Sequence, residues 1–494
     1  MPSWLSNSAP ILLLLIAVTV VIGRLPKVDV GHSKAFRRRR VLNWIPLGLM
    51  YAFLYMARYN LEVAKNAFSV IPGLTGDPVM GNTDFGIIFG IGTIVYGFSF
   101  LINGPLTDRF GGRASILVGG AGSIVANVLM GLASLTLLHR GPGFEFVASH
   151  FVTILAVLYA INMYFQSFGA VSIVKVNAAW FHVRERGVFG AIFGILISLG
   201  LYFAFDWCRI ILTAFSSEAG PQNGIPFVFF VPSLLLGLFW IIDFFLVRDT
   251  PQEAGQRDFD PGDASSGDTG PRLPVVQVFK KMLSSPIILT IALIEFCSGF
   301  LRQAIMQWFR TYAKQTDGVL ELTQSFVYKN WGLLLCIAGI LGGVIAGVVS
   351  DHVFRSRRGP VAVLLYAVML LGTIVLSFAY AGPAVGILVV VMTMAVIGVH
   401  GMLSGTASMD FGGKKNVGVA VGIIDGFVYL GTATMSLTYA FLLPKELLQD
   451  GKLVGPATDP SNWIAWPVAM IPAALIGLIL ALRVWSAYPD PKKS

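Results

Sequence analysis

The chain has 494 residues, of which 55% are hydrophobic and 12% charged, and a formal net charge of +9. With a mean hydropathy of +0.74 it carries too much apolar sequence for ordinary soluble cores, so lipid must form part of its solvent. The positive charge does not point to nucleic acid, because the Lys and Arg residues lie in short stretches between apolar spans and not on one soluble face.

Residues 4–23 open the chain with an apolar run placed ahead of the basic cluster Arg37 to Arg40. A secretory signal has its charge before the apolar run and a small-residue cleavage site after it. The reversed order predicts an extra N-terminal membrane helix within segment 1–40, with an interfacial or cleaved leader as the alternative. A hydrocarbon core of roughly 30 Å takes about 20 apolar residues per helix, and such runs recur at 41–68, 85–106, 114–138, 150–174, 187–213 and 226–247. Residues 248–284 then lose the periodicity and collect Gly, Pro, Asp and Ser, the composition of a linker. Six more runs follow at 286–312, 327–350, 360–381, 384–408, 416–442 and 463–485, before a basic tail, 486–494.

The pattern predicts an all-α membrane protein with one six-helix bundle over 41–247 and a second over 285–485. Arg109 with Arg113, Arg184 with Arg186, Lys280 with Lys281, Arg355 with Arg357, and Lys414 with Lys415 recur at alternate loops, whereas 216–225 and 382–383 hold no Lys or Arg. This places the basic loops and the C-terminus in the cytoplasm, and the protein in an inner membrane. Cys208, Cys297 and Cys336 all lie inside apolar spans without paired spacing, which reads as small hydrophobes and predicts neither metal nor disulfide.

Two landmarks repeat. Gly104-Pro-Leu-Thr-Asp108-Arg109-Phe-Gly-Gly-Arg113 follows the second span, and Gly347-Val-Val-Ser-Asp351-His-Val-Phe-Arg355 follows the eighth, with 243 residues between the aspartates. Arg58, in the middle of the first span, has a counterpart 244 residues on in Arg302 of the seventh. The common offset predicts duplicated halves related by an axis along the membrane normal. In each loop the glycine allows close helix contact, and the aspartate is placed to hold a neighbouring helix end or an arginine in one conformational state.

An arginine at the bilayer centre costs about 2.5–3.5 kcal/mol on insertion scales, so two of them need a reason. Tyr51, Tyr55, Glu62 and Lys65 share a helical face with Arg58, and Glu295 lies two turns before Arg302, with Arg310 further out. Two guanidiniums converging on one cleft suit a doubly charged phosphate or carboxylate, and tyrosine hydroxyls supply neutral donors. The alternative is local neutralisation of Arg58 by Glu62 and of Arg302 by Glu295. Asp206 and Arg209, three residues apart, are expected to form a structural pair.

The Asp108 loop resembles the signature of the major facilitator superfamily, with Gly112 where a basic residue is usual. Tyr51-Ala-Phe-Leu-Tyr55-Met-Ala-Arg58-Tyr-Asn60, Tyr96-Gly-Phe-Ser, Ala179-Trp180-Phe181, Glu185-Arg186-Gly187, Arg248-Asp-Thr-Pro-Gln252, Phe300-Leu-Arg302, Ser350-Asp351 and Tyr429-Leu-Gly431 together resemble the organophosphate:phosphate antiporter family across both halves. That resemblance implies the major facilitator fold and a phosphate clamp of Arg58 and Arg302, with Tyr51, Tyr55, Tyr96 and Tyr429 nearby. The chain departs from the glycerol-3-phosphate carriers at Tyr59 and Phe100, which replace lysines, at Ile197, which replaces histidine, and at Gly299 and His400, which replace tyrosines. His400 is therefore either a titratable group of the site or a structural hydrogen-bonding residue.

The expected function is exchange of a phosphorylated organic anion, of the glycerol-3-phosphate or sugar-phosphate class, for inorganic phosphate by alternating access, carried out by a monomer in the lipid bilayer. A proton-coupled carrier using Glu62, Glu295 or His400, and a membrane sensor of sugar phosphates, are the alternatives. Lys65 is a further candidate for charge balance. No enzyme, catalytic residue or cofactor is expected, since no phosphate-binding loop and no nucleophile–base set is present in the sequence.

Overall fold

The structure is a computed structural model that describes residues 31–74, 76–182, 185–217, 220, 222–260, 274–354, 358–449 and 452–486. The expectations for residues 4–23, for Arg355 and for the Asp351 side chain fall outside the described residues.

Twelve helices carry the fold. In the first half they are α1 (Lys34–Phe68), α2 (Asn82–Phe110), α3 (Gly112–His139), α4 (Phe144–Trp180), α5 (Arg186–Tyr202) and α6 (Phe227–Leu246). In the second they are α7 (Pro286–Gln315), α8 (Trp331–Val348), α9 (Arg358–Ala379), α10 (Val385–His400), α11 (Ser408–Leu442) and α12 (Met470–Arg483). Among the described residues, ten of the helical segments are long and apolar enough to cross a membrane. α1 falls short because Arg58, Glu62 and Lys65 interrupt its apolar run, yet all three are buried in protein, where lipid does not meet them. α8 falls short on length only.

Three helices are interrupted by π-helical turns: Phe203–Trp207 leads α5 into Cys208–Ala214, Val349–Val353 ends α8, and Gly401–Ala407 joins α10 to α11. Such turns re-aim side chains that an unbroken ladder would hold elsewhere.

The halves meet along α2 with α11 and along α5 with α8. Glycines permit the closest approaches. A Cβ on Gly299 would overlap the Val428 carbonyl, and one on Gly431 would overlap the Phe296 carbonyl, so α11 lies directly against α7 and delivers Tyr429 between the halves. Tyr59 and Gln303, 244 residues apart, hydrogen-bond each other at 2.7 Å. A residue touching its own repeat counterpart lies on the pseudo-symmetry axis, so this contact marks that axis beside the two arginines.

The end of the bundle opposite the basic loops is closed by polar contacts between halves. Lys65 pairs with Glu446 at 3.0 Å, both buried, and the Asn82 backbone N–H donates to the same carboxylate at 2.6 Å. Asn82 also donates to Gln315 of α7 at 3.0 Å. Glu446 leads into the only strand pairing among the described residues, Leu447–Gln449 with Lys452–Val454.

Candidate functional site

Arg58 is fully buried and reached by groups from three other helices. Its Nε donates to Gln166 Oε1 of α4 at 2.9 Å and its Nη1 to Tyr429 Oη of α11 at 2.7 Å. The guanidinium lies 4.6 Å from the Tyr55 ring and 4.5 Å from the Tyr96 ring, within cation–π range. Gln166 is in turn held by Ser123 of α3 at 3.1 Å. Asn127 and Asn162 both donate to the Ala57 carbonyl, next to Arg58. This amide network fixes where the arginine stands, and each buried polar member is hydrogen-bonded, as burial requires.

Arg302, 4% exposed, reaches the same tyrosine, its guanidinium 5.9 Å from the Tyr429 ring and that of Arg58 5.7 Å from it. Both guanidiniums therefore lie within cation–π range of one aromatic ring. Arg58 Nη2, Arg302 Nε and Nη2, and Tyr96 Oη are buried and have no hydrogen-bond partner among the described residues. Leaving a buried donor unmatched costs about 1–3 kcal/mol, and more for a charged one. Donors concentrated in this way match an acceptor-rich anion. Tyr51 packs edge-on to Tyr55 at 5.2 Å and completes the aromatic wall.

Local neutralisation is not what the geometry contains. Among the described residues neither arginine is in an ion pair. Glu62 Oε1 accepts from Asn66 at 2.6 Å, Lys65 pairs with Glu446, and Glu295 Oε2 lies 2.9 Å from His400 Nδ1. Glu62 and Lys65, expected on one face with Arg58, thus leave the central site for the closed end of the bundle. Asp206 and Arg209 also differ from expectation. Asp206 accepts from the Gly332 and Leu333 backbone N–H groups at 3.1 and 2.9 Å, capping α8, while Arg209 donates to the Lys329 carbonyl at 2.7 Å.

Two residues that the sequence does not single out belong to this site. Gln166 orients Arg58, and Asp425 of α11, whose Oδ1 accepts from Ser404, joins Glu295 and His400 beside Arg302. Isolated amides and carboxylates in apolar helices have no motif spacing to betray them. The replaced lysine positions are now aromatic: Phe100 packs on Tyr96 at 4.7 Å and on Tyr429 at 5.9 Å, and Tyr59 lies 5.7 Å from the Arg58 guanidinium.

At the basic-loop end, Asp108 accepts from Lys175 of α4 at 2.6 Å and rests against α11 at Gly418, which ties the loop to both halves. Arg109 is exposed beside Phe110. Arg113 donates through its side chain to the Phe244 carbonyl at 2.6 Å, and its backbone N–H meets Asp249 at 2.8 Å. Asp249 caps the start of α3 through the Arg113 backbone N–H, while Gly104 provides the approach of α2 to Gly418. Nearby, Arg40 clamps Glu185 with two 2.9 Å bonds. Burial opposes ionisation of Glu185, but the bonds and charge of Arg40 outweigh it and hold the carboxyl below its ordinary value.

The family model for the Major Facilitator Superfamily matches residues 47–436. The chain belongs to that superfamily. As a facilitator it is a multi-pass membrane protein of the transporter type and not an enzyme. It is 25% identical over 479 residues to the glycerol-3-phosphate transporter of Bacillus subtilis, covering 93% of this chain and 95% of that protein. It is 24% identical to the membrane sensor protein UhpC of Escherichia coli, with 93% and 95% covered. A "Probable hexose phosphate transport protein" of Chlamydia trachomatis is 22% identical, with 92% and 93% covered. These relatives agree with the organophosphate:phosphate antiporter resemblance of the motifs. The xylose transporter XylE of E. coli, in a partially occluded inward-open form, superposes with a TM-score of 0.61 at 13% identity, covering 92% of this chain and 100% of that one, which establishes the fold.

Proposed function

We propose that this facilitator exchanges a small phosphorylated organic anion for inorganic phosphate by alternating access, as a monomer in the bacterial inner membrane with its basic loops and C-terminus on the cytoplasmic side. The observation that carries this reading is the pair Arg58 and Arg302, one from each half, presenting unpaired donors beside the shared Tyr429 ring. A phosphate dianion matches both their charge and their donor geometry, and relatives named for glycerol 3-phosphate and hexose phosphate support the class. Inorganic phosphate satisfies the same donors, so either ligand offsets the cost of two buried cations. The unloaded carrier keeps that cost, which disfavours reorientation without cargo and favours exchange over leak.

Counterflow tests the reading. Liposomes holding the protein and loaded with phosphate are expected to take up labelled phosphate and glycerol 3-phosphate, with uptake lost in Arg58→Ala and Arg302→Ala. Exchange that persists unchanged in both variants contradicts the clamp. The buried Glu295–His400 contact favours a second reading, a proton-coupled anion carrier, which requires uptake driven by a pH gradient into vesicles free of phosphate. The sensor relative favours a third, in which ligand binds without flux.

A further inference from the structure

The closed end of the bundle holds a second cavity, of about 280 Å³, outside the two-arginine site. Its polar lining is Glu62 and Asn66 of α1, Arg209 beyond the π turn of α5, Arg310 and Lys314 of α7, Gln222 and Tyr328. Three cations thus face one carboxylate, Lys314 Nζ with one of its three hydrogens on the Asn66 carbonyl. Arg310 is buried, with its guanidinium 5.0 Å from the Tyr328 ring; Nη1 reaches the Phe205 carbonyl only at 3.4 Å, and Nε has no partner among the described residues. Arg209 Nε is likewise unmatched. Glu62 is 1% exposed and presents Oε2 without a partner among the described residues, its other oxygen being held by Asn66. Asp206 lies within electrostatic range of Arg310 and Arg209 but forms no ion pair with either among the described residues, its oxygens being engaged by two α8 backbone N–H groups, so one positive charge stays in excess.

An excess of cationic donors calls for an oxyanion, and a free carboxylate oxygen calls for a hydroxyl hydrogen. One small ligand offers both: a phosphorylated polyol. The volume lies at the low end of ligand pockets, about 300–1,000 Å³, and so fits a short-chain phosphate and not a nucleotide. Arg310 lies eight residues beyond Arg302 on the same helix, about 12 Å away at 1.5 Å per residue. Gln303 follows Arg302 on that helix and is bonded to Tyr59 of α1 at 2.7 Å, with Phe205 stacked on Tyr59.

We propose that this cavity is a second binding site, a vestibule in which a phosphorylated hydroxy compound is held by Arg310, Lys314 and Arg209 with a hydroxyl on Glu62, before the Tyr59–Gln303 partition admits it to the central pair. The ligand class rests on the function proposed above, whereas the existence of the site rests on its own residues.

Equilibrium dialysis of the purified full chain against labelled glycerol 3-phosphate separates the two readings. Wild type is expected to bind two equivalents. Arg58→Ala/Arg302→Ala is expected to retain one, weakened about tenfold or more by a further Arg310→Gln and restored toward its starting value when Arg310→Lys replaces that change. Glu62→Gln is expected to reduce the preference of this equivalent for glycerol 3-phosphate over inorganic phosphate. One equivalent in wild type that vanishes in the double variant overturns the vestibule and leaves the central reading intact. One equivalent that survives the double variant and is lost with Arg310→Gln upholds the vestibule and overturns the central reading. Absence of binding in wild type overturns both. Melting of each variant without ligand identifies those that fail to fold, and in that event binding by Arg310→Lys and Glu62→Gln decides between the outcomes.

Discussion

Arg58 and Arg302 are repeat counterparts, yet their surroundings have diverged. The first is set in tyrosine rings and an amide network, with no carboxylate in ion-pair contact among the described residues. The second shares its neighbourhood with Glu295, His400 and Asp425, two of them potential anions. Symmetry therefore supplies one guanidinium from each half, but their net fields differ: Arg58 acts as a full positive charge, and Arg302 as one partly offset. The difference assigns most of the anion attraction to the first half and any charge tuning to the second.

Removing each arginine tests that asymmetry most strongly. Truncating one partner of a buried charged contact costs about 2–5 kcal/mol. Arg58→Ala is expected at the upper end, roughly a several-thousandfold loss of phosphate affinity, and Arg302→Ala at the lower, roughly thirtyfold, by equilibrium binding. Equal losses would erase the proposed distinction. Asp425→Asn goes the other way. It strips an opposing charge from the neighbourhood of Arg302 and is expected to tighten phosphate binding by about 1–2 kcal/mol at an effective dielectric of 20, with slower release in exchange assays. Gln166→Leu removes the acceptor that orients Arg58 and should cost about 1–1.5 kcal/mol of phosphate affinity, while Arg302 has no such amide to lose. The smallest effect lies outside the membrane. Because Glu185 has a folded-state pKa below its unfolded one, its contribution is present above the unfolded value, about 4.3, and is lost as pH falls through the folded value. Glu185→Gln should lower stability by about 1 kcal/mol or less at neutral pH, allowing for solvent screening, and should flatten the acid limb of thermal unfolding.

The helical architecture is legible in the sequence because hydropathy over about 20 residues is a strong physical signal. The 244-residue offset is equally plain, and it brings both arginines to one centre by symmetry alone. Side-chain direction is less readable. Periodicity puts Glu62 and Lys65 on the face of Arg58, but the face of a long helix passes from the central site to the end of the bundle within two turns, and Asn66 and Glu446 take those charges there. Asp249 cannot be told from other linker acids, since its capping of α3 depends on a contact 136 residues away in the chain. Gln166 and Asp425 escape notice for the same reason: their partners come from elsewhere in the chain.

Whether two cations share one anion is measured most directly by a double-mutant cycle on phosphate affinity. With Arg58→Ala, Arg302→Ala and the double variant, a shared anion predicts strong non-additivity, the second truncation costing far less once the first has been made. Losses that simply add, as for distant independent sites, would contradict the shared clamp and leave two separate arginines.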